Sequence, residues 1–493
     1  MSSSSWRRGR VRAPELVGRG GWIQAPEDLS LASLRGKVVL LDFWSFCCIN
    51  CLHVLEELRP LEELEELRPL EERFGDSLVV IGVHSPKFEH EKDHIALERA
   101  VARYNVRHPV LDDPDRTTWD QYGVRAWPTL VLVDPEGYAL AAVAGEGNAR
   151  ALGRTIEEII SYHEERGTLN EEPLRLPPPR VRSGALRFPG KVAAGPDGLL
   201  AVSDSGHNRV VVARPDGDEA RVVAVAGTGA RGASDGRFSE ATFFDPQGLL
   251  FLDESTLLVA DTGNHLIRRL GLDDESVETI AGNGSQARWG ASGGAALRTA
   301  LNSPWDLELW EGRVVIAMAG PHQLWTLDLA RGEVSVVAGS GVESIMDGPA
   351  EQAAMAQPSG ISSDGERLWI VDSETSSLRY LDRAGDLRAA VGSGLFDFDH
   401  ADGPALDALL QHPLGVAATE NGPIVCDTYN SALRHFDTGQ NELTTLARDG
   451  LAEPSGATPV GEWRRGLTRR DRRGYNWGPV SKTGPRNCKR ALR

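Results

Sequence analysis

The feature that constrains the fold most is a pattern that returns roughly every 55 residues in the second half of the chain. Each copy holds a short apolar run, a polar turn and a second apolar run. The five copies read AVSDSGHNRV, LVADTGNHLIRRL, VVIAMAGPHQLWTL, LWIVDSETSSLRYL and PIVCDTYNSALRHF. Segments rich in Gly, Asp and Pro separate the copies, and these residues favour turns between short strands. A repeat of this length, with four short strands in each unit, predicts the blades of a β-propeller.

The polar turn of each copy carries short side chains that can bond backbone groups and join one strand to the next. We therefore predict a structural role for these turn residues rather than a catalytic or metal-binding one. They are Asp204, Asn208, Asp261, Asn264, His265, Asp372 and Asp427. The third copy breaks the pattern, because Met318 and Ala319 stand at the equivalent place.

Cysteine spacing is the strongest chemical signal in the first half of the chain. Three of the five cysteines are crowded into Cys47, Cys48 and Cys51, whereas Cys426 and Cys488 are isolated. Five cysteines in 493 residues are too few for a disulfide framework, so the cluster indicates chemistry. Two cysteines at this spacing also occur in half of a zinc site, but no second pair of cysteines or histidines follows at a suitable distance.

The segments around the cysteines predict a mixed α/β domain. KVVLLDFW is typical of a strand buried on both faces, and the Leu- and Glu-rich segment from Leu52 to Phe74 is typical of a helix. Next come LVVIGVH as a strand, HIALERAVARYN as a helix and WPTLVLVDPEGYALAAVAG as two strands around a turn. A last helix is predicted over about 150–163.

This order of elements, together with DFWSFCCINC, resembles the thioredoxin fold in its redoxin or TlpA-like form over roughly residues 10–165. The resemblance implies that Cys48 is the attacking cysteine and Cys51 the resolving one. It also implies that Asp42 is a buried acid near the cysteines and that Pro128 is the cis-proline facing them. Two differences from the family are the Ile-Asn pair between the cysteines and the presence of Cys47 where the family usually has Trp.

The chemistry gives these residues reasons for their roles. A cysteine at a helix N-terminus lies near unpaired backbone N–H groups and the positive end of the helix dipole, which favours the thiolate of Cys48. Two intervening residues let Cys51 reach back and expel the mixed disulfide, and a buried Asp42 can take the proton of Cys51. Cys47 is predicted to modulate the site, since it can capture either neighbour in an alternative bond.

The helix after the cysteines contains a tandem duplication. LEELRPLEE at 55–63 is repeated at 64–72, and each copy contains a proline, Pro60 and Pro69. Proline removes a backbone donor and clashes with the preceding turn, so we expect a kinked or extended helix with one copy bulged into solvent.

The repeats carry a second resemblance. VADTGNHLIRRL is similar to the Asn-His-Leu signature of NHL repeats. A CCINC thioredoxin-like domain followed by such repeats resembles the family of NHL-repeat proteins with an N-terminal thioredoxin-like domain, over roughly 10–458. This resemblance implies a six-bladed propeller, of which LAEPSGATPV begins a sixth blade that is incomplete here.

The predicted fold class is therefore multidomain, with an α/β thioredoxin-like domain followed by an all-β NHL-type propeller. The predicted segments are a disordered N-terminus at 1–10, the thioredoxin-like domain at 11–166, a linker rich in Pro and Arg at 167–189, the propeller at 190–460 and a basic tail at 461–493.

Apolar stretches and net charge indicate the compartment and the classes of partner that we expect for this chain. No stretch approaches the roughly 18 apolar residues of a spanning helix, and the N-terminus lacks the apolar core of a secretory signal, so we expect a cytoplasmic protein with no membrane partner. A net charge of -18 disfavours nucleic-acid binding, because it repels the phosphate backbone. The tail at 461–493 is the exception, with 11 Lys or Arg against 2 Asp or Glu and three aromatic residues that could stack on bases, Trp463, Tyr475 and Trp477. Its abrupt loss of strand periodicity better fits a truncation or a shifted reading frame.

The predicted function is thiol-disulfide exchange at Cys48 and Cys51, without a cofactor or metal. The propeller would recruit protein or peptide clients, and a thiol reductant system would supply electrons. The alternative is a noncatalytic interaction scaffold in which the thioredoxin-like domain binds partners or senses redox state. A third possibility is a hydrolase or lyase with a metal in the propeller channel.

Overall fold

The structure is a computed structural model. It describes residues 11–57, 74–177, 184–216, 219–460 and 464–468. The chain divides into two compact units, Met1–Arg182 and Ser183–Arg493. The predicted disordered segment 1–10, most of the duplicated LEELRPLEE segment and nearly all of the basic tail lie outside the described residues.

A seven-stranded mixed sheet forms the centre of the first unit. Its strands are β1 (Val11–Arg12), β2 (Gly21–Ile23), β3 (Val38–Trp44), β4 (Leu78–His84), β5 (Val110–Asp112), β6 (Thr129–Val133) and β7 (Tyr138–Ala144). The strand order is β1-β7-β6-β3-β4-β5-β2. Strands β3, β4 and β5 run parallel, whereas β6 is antiparallel to β3. This topology confirms the predicted thioredoxin-like fold.

Helices cover both faces of this sheet. They are α1 (Ile49–Glu57), α2 (His94–Arg103), α3 (Thr117–Gln121) and α4 (Ala149–Glu165), with short 3₁₀ turns at Gly75–Ser77 and His90–Lys92. Every residue of β3 is buried, as its continuous apolar sequence predicts. Val38 and Leu40 pack with Val54 of α1 and Ile156 of α4 on one face. The odd-numbered residues of β3 pack into a second apolar cluster on the other face.

The second unit is a propeller with five complete four-stranded antiparallel blades. The first blade contains β8 (Val192–Ala194), β9 (Leu200–Asp204), β10 (Arg209–Asp216) and β11 (Glu219–Ala226). The second contains β13 (Pro246–Phe251), β14 (Thr256–Asp261), β15 (Leu266–Gly271) and β16 (Ser276–Ala281), and the third β18 (Pro304–Trp310), β19 (Arg313–Met318), β20 (Gln323–Asp328) and β21 (Glu333–Ala338). The fourth contains β23 (Pro358–Ser363), β24 (Arg367–Asp372), β25 (Ser377–Asp382) and β26 (Asp386–Val391), and the fifth β28 (Gly415–Ala417), β29 (Ile424–Asp427), β30 (Ala432–Asp437) and β31 (Glu442–Ala447).

Four short strands extend the second to fifth blades at their outer edges. They are β12 (Gly236–Arg237), β17 (Gly293–Ala295), β22 (Gly348–Pro349) and β27 (Gly403–Pro404), and each pairs with the outermost long strand of its blade. The loops between blades therefore fold back against the sheets instead of leaving the outer strands unpaired.

A partial sixth blade completes the inner ring. Among the described residues it contains β32 (Gly456–Val460) and β33 (Arg464–Thr468), which form an antiparallel pair. The innermost strands of the five blades contact one another in succession, and β32 lies between the fifth and the first. The Ser455 hydroxyl donates to the carbonyl of Gly190 at 2.6 Å, and the Ala194 amide donates to Thr458 Oγ1 at 3.1 Å. Two strands of the sixth blade are therefore enough to close the ring at its centre.

Candidate thiol site

The cysteine cluster lies where β3 ends and α1 begins. The Cys48 carbonyl accepts from the amides of Cys51 and Leu52 at 3.0 and 3.1 Å, so Cys48 occupies the N-cap position of α1. All three cysteines are buried and none is in a disulfide. Cys48 therefore lies at the end of the helix where the backbone dipole favours a negative charge, as its position in the sequence predicts.

Cys51 follows in the first turn of α1, where its amide donates to the Cys48 carbonyl at 3.0 Å. Burial raises the pKa of Cys51 well above its ordinary value, and the charge of the neighbouring Cys48 raises it further. Two other charges act on this thiol. Lys87 lowers the pKa of Cys51, and Asp42 raises it.

Asp42 lies on β3 with no exposed surface, in register with Gly82 of β4. Its charge acts on Cys51, so the structure brings this acid and Cys51 together. A carboxylate buried beside a thiol of raised pKa is placed to exchange a proton with it.

Pro128 reaches the same end of the sheet by strand pairing. Thr129, the first residue of β6, pairs with Phe43 of β3, so Pro128 comes next to the end of β3 from which the cysteines follow. The Trp127–Pro128 peptide bond is cis. The Trp127 indole Nε1 donates to the Ser85 carbonyl at 2.7 Å, and its ring lies 4.2 Å from that of Trp119 between centroids.

Two residues near the cysteines, Lys87 and Glu91, are not part of the cysteine motif and could not be identified from it. Lys87 and Glu91 lie in the segment between β4 and α2, about 40 residues after the cysteines. The Lys87 ammonium lies 5.4 Å from the centroid of the Trp127 ring, and the Glu91 carboxylate accepts from the Cys47 amide at 3.1 Å. Only the parallel pairing of β3 with β4 brings this segment to the cysteines.

His53, two residues after Cys51 in α1, is not an exposed helix residue. Its side chain is buried, and its Nδ1 lies 2.5 Å from Glu146 Oε2. Glu146 follows Gly145, whose amide donates to the Pro128 carbonyl at 2.9 Å. The pair therefore joins α1 to the loop that adjoins Pro128, a contact that the helical position of His53 alone does not reveal.

The turn residues of the propeller lie far from the cysteines in the sequence. They form hydrogen bonds within and between the blades. Asp261 is buried and accepts from the Phe244 amide, Asn264 Nδ2 and Arg268 Nη1, each at 2.8 Å. Burial raises the pKa of Asp261 to about 6, and the charge of Arg268 opposes that shift. His265 Nδ1 accepts from the Ser303 amide at 3.0 Å, which connects this turn to the next blade.

The equivalent turns repeat this arrangement with variations. Asp427 bonds Arg434 at 2.7 Å, and the Asp372 carboxylate accepts from the Ala356 amide at 2.8 Å and lies 3.8 Å from Arg379. In the first blade, Asp204 and Asn208 bond backbone amides of neighbouring loops, namely those of Arg187 at 2.6 Å and Asp245 at 3.1 Å. These contacts support the structural role predicted for the turn residues.

A lysine lies at the centre of the propeller. Lys191 is buried, and its ammonium donates to Asp306 Oδ2 at 3.1 Å, to the Ser359 carbonyl at 2.7 Å and to the Leu414 carbonyl. These partners belong to three other blades, so one cation joins the inner ends of four. Within the described ranges, no group of three or more His, Cys, Asp or Glu side chains could hold a metal ion.

Comparisons with known proteins match both units. A family model described as "Thioredoxin-like" matches residues 36–139, and one described as "NHL repeat" matches residues 186–213. The chain is 39% identical over 460 residues to Protein SUPPRESSOR OF QUENCHING 1, chloroplastic, of Arabidopsis thaliana, covering 89% of this chain and 43% of that one. It is 36% identical over 483 residues to NHL repeat-containing protein 2 of Gallus gallus, covering 90% of this chain and 64% of that one. This chain therefore spans less than two thirds of the length of either relative.

The thioredoxin-like unit also has a shorter relative. Thiol-disulfide oxidoreductase YkuV of Bacillus subtilis is 25% identical over 156 residues, which is 31% of this chain and 98% of that protein. Among the described helices, none combines the length and the apolar character needed to cross a membrane.

Proposed function

We propose that this chain, in which a thioredoxin-like domain is followed by NHL repeats, is a thiol-disulfide oxidoreductase. Cys48 is the nucleophile and Cys51 the resolving cysteine. The observation that carries the proposal is the position of Cys48 at the N-cap of α1, with the buried Cys51 in the first turn of the same helix. Burial and the neighbouring Cys48 raise the pKa of Cys51. A thiol of raised pKa keeps its proton and donates it toward Cys48, which stabilises the thiolate needed for attack.

The reaction proceeds in two exchanges. The Cys48 thiolate attacks one sulfur of a client disulfide, and the other client sulfur leaves as a thiolate that takes a proton. Cys51 then gives its proton to Asp42 and attacks the Cys48 sulfur, which forms the Cys48–Cys51 disulfide and releases the second client thiolate. The client gains two electrons and the cysteine pair loses them. An external dithiol reductant restores the pair by the same exchange in reverse.

Residues around the cysteines have supporting roles in this proposal. The cis bond between Trp127 and Pro128 lies at the end of the sheet from which the cysteines follow, and the Trp127 backbone groups would bond an extended client segment. Lys87 lies near enough to lower the pKa of Cys51, which assists its deprotonation in the second exchange. The propeller would recruit the client protein, and a reducing compartment such as the cytoplasm would supply the dithiol reductant.

The experiment that tests this proposal traps the intermediate. A Cys51→Ser variant should accumulate a mixed disulfide between Cys48 and a disulfide-bonded client such as insulin, whereas a Cys48→Ser variant should trap nothing. The unaltered protein should reduce insulin when dithiothreitol is supplied. Absence of both the trapped species and insulin reduction would remove the proposal.

One observation favours a second candidate function. Cys48 is only 4% exposed and Cys51 is fully buried, so the pair offers little sulfur surface to a docked disulfide. This burial fits a noncatalytic scaffold in which the thioredoxin-like unit binds partners. Affinity capture of partners by a Cys48→Ser, Cys51→Ser variant distinguishes the two: unchanged capture, together with an absence of insulin reduction by the unaltered protein, supports the scaffold.

A further inference from the structure

A buried carboxylate organises the segment in front of the cysteines. Glu91 has no exposed surface and lies in the 3₁₀ turn His90–Lys92. Its Oε2 accepts from the amides of Lys87 at 2.7 Å and Phe88 at 3.1 Å. Its Oε1 accepts from the Cys47 amide at 3.1 Å and lies 2.6 Å from the hydroxyl of Ser45. Three backbone amides and the Ser45 hydroxyl therefore surround one buried carboxylate.

This arrangement fixes the direction of the next hydrogen bond. The Ser45 hydroxyl is the donor in its bond to Glu91, so its single proton is directed to the Glu91 side chain. The Ser45 oxygen is 3.0 Å from the Cys47 sulfur. With its own proton directed to Glu91, Ser45 can only accept from Cys47, and this bond requires the Cys47 S–H.

Loss of the Cys47 proton would be costly in this environment. The thiolate and the carboxylate would then compete for the single Ser45 proton, and both anions would be buried. Cys48 has the opposite environment at the N-cap of α1, where the helix dipole favours its thiolate. Adjacent cysteines in the sequence therefore face opposite electrostatic conditions.

We propose that Glu91 and Ser45 keep Cys47 in the thiol form and thereby restrict disulfide exchange to Cys48 and Cys51. Only thiolates attack disulfides, so a cysteine held as a thiol does not divert the exchange into Cys47–Cys48 or Cys47–Cys51 bonds. The consequence for turnover rests on the proposed function, whereas the protonation of Cys47 does not. Glu91 is a positioning residue in this scheme, because it acts on Cys47 through Ser45.

The test measures the alkylation of each cysteine against pH. Reduced full-length protein is treated briefly with iodoacetamide between pH 6 and pH 10, and peptide mass mapping gives a rate for each thiol. In the unaltered protein, the midpoint pH for Cys47 should lie at least about one unit above that for Cys48, a tenfold difference in thiolate population at the same pH. A Cys47 midpoint at or below that of Cys48 would overturn the proposal without any variant.

Glu91→Gln separates charge from structure. Removing the carboxylate should lower the Cys47 midpoint by about one unit, which raises its alkylation at pH 8 about tenfold. The matched control is Glu89→Gln, because Glu89 lies two residues away with its side chain exposed beside Lys92. If Glu91→Gln only exposed Cys47 to the reagent, the alkylation rate of Cys47 at high pH would rise while its midpoint pH stayed the same. That result would contradict the proposal. The other titratable groups around the cysteines are the same in Glu91→Gln and in the unaltered protein. They are Cys48, Cys51, Asp42, Lys87 and His84.

Disulfide mapping gives the redox consequence. Oxidation by glutathione disulfide consumes two thiols of the protein and releases two molecules of glutathione. The unaltered protein should yield only Cys48–Cys51, and Glu91→Gln should add isomers that contain Cys47. Isomers containing Cys47 in the unaltered protein would refute the restriction. If the alkylation midpoints are as predicted but the protein does not reduce insulin, this inference stands and the proposed function is removed.

Discussion

Arg268 and Asp261 form an ion pair in which neither side chain is exposed, with Nη1 2.8 Å from Oδ2. They lie seven residues apart on adjacent strands of the second blade. The same spacing in the third blade holds Met318 and Trp325, which are buried in one apolar cluster. The propeller thus accommodates either an ion pair or an apolar pair at this position. Burial of charges is costly, and a buried pair is often replaceable by apolar residues of similar volume.

This relationship predicts a double-mutant cycle. Arg268→Trp alone leaves the buried Asp261 carboxylate without its cation and should lower the free energy of unfolding by about 3 to 5 kcal/mol. Asp261→Met alone should cost less, because Arg268 keeps its ion pair with Asp235 at 2.8 Å. The double variant, which copies the third blade, should recover most of that loss. Urea unfolding followed by hydrogen exchange in β14 and β15 checks the cycle. Costs that simply add in the double variant would refute the equivalence of the two pairs.

Lys191 predicts a second stability effect at the centre of the propeller. Lys191→Met leaves the buried Asp306 carboxylate without its cation, so we expect a loss of about 3 to 5 kcal/mol. Adding Asp306→Asn removes the charge but keeps an acceptor for the Ile361 amide, which bonds Asp306 at 3.1 Å, and should recover part of the loss. Thermal unfolding of both variants, with the exposed Arg313→Met as control, measures this. An unchanged transition in Lys191→Met would contradict it.

Glu308 predicts a pH dependence of propeller stability. Burial raises the pKa of Glu308 to about 7, although amides of Ser363 and Leu309 bond its carboxylate. The folded pKa lies above the unfolded value of about 4.5, so this group stabilises the fold fully below pH 4.5 and loses that contribution as pH rises through 7. Unfolding free energies of the unaltered protein should therefore fall relative to Glu308→Gln between pH 5 and pH 8, by about 3 kcal/mol.

Glu333→Gln is the control for Glu308, since Glu333 is an exposed glutamate on β21 of the same blade. Urea unfolding at four pH values between 5 and 8 provides the comparison. A constant difference between the unaltered protein and Glu308→Gln across this range would show that Glu308 titrates normally.

Asp42→Asn should have two effects on Cys51 of opposite kinds. The Asp42 charge raises the pKa of Cys51, so its removal should lower the midpoint pH of Cys51 alkylation. Resolution of a Cys48–glutathione mixed disulfide at pH 7 should nevertheless slow by about 100-fold, because the positioned proton acceptor is lost. Stopped-flow release of glutathione measures the rate, with the exposed Asp120→Asn as control. Equal resolution rates in Asp42→Asn and the unaltered protein would exclude Asp42 as the proton acceptor.

The fold was largely predictable because its determinants are local in sequence. The apolar runs of β3 and β4 and the recurring turn that contains Asp261 predict the strands and the five complete blades. Cys48 at the start of α1 likewise follows from the spacing of a strand, two cysteines and a helix. The burial of His53 was not predictable, because it depends on Glu146, which is 93 residues away.

The sequence by itself determined the two-unit organisation, the cysteine pair and the turn residues, since periodicity and spacing are properties of neighbouring residues. Tertiary structure decided what surrounds the cysteines. Parallel pairing of β3 with β4 brings Glu91 to Ser45 and Cys47, and ring closure brings Lys191 to Asp306. No local pattern marks Glu91 or Lys191, because hydrogen-bond direction and desolvation arise only when distant segments meet in a buried space.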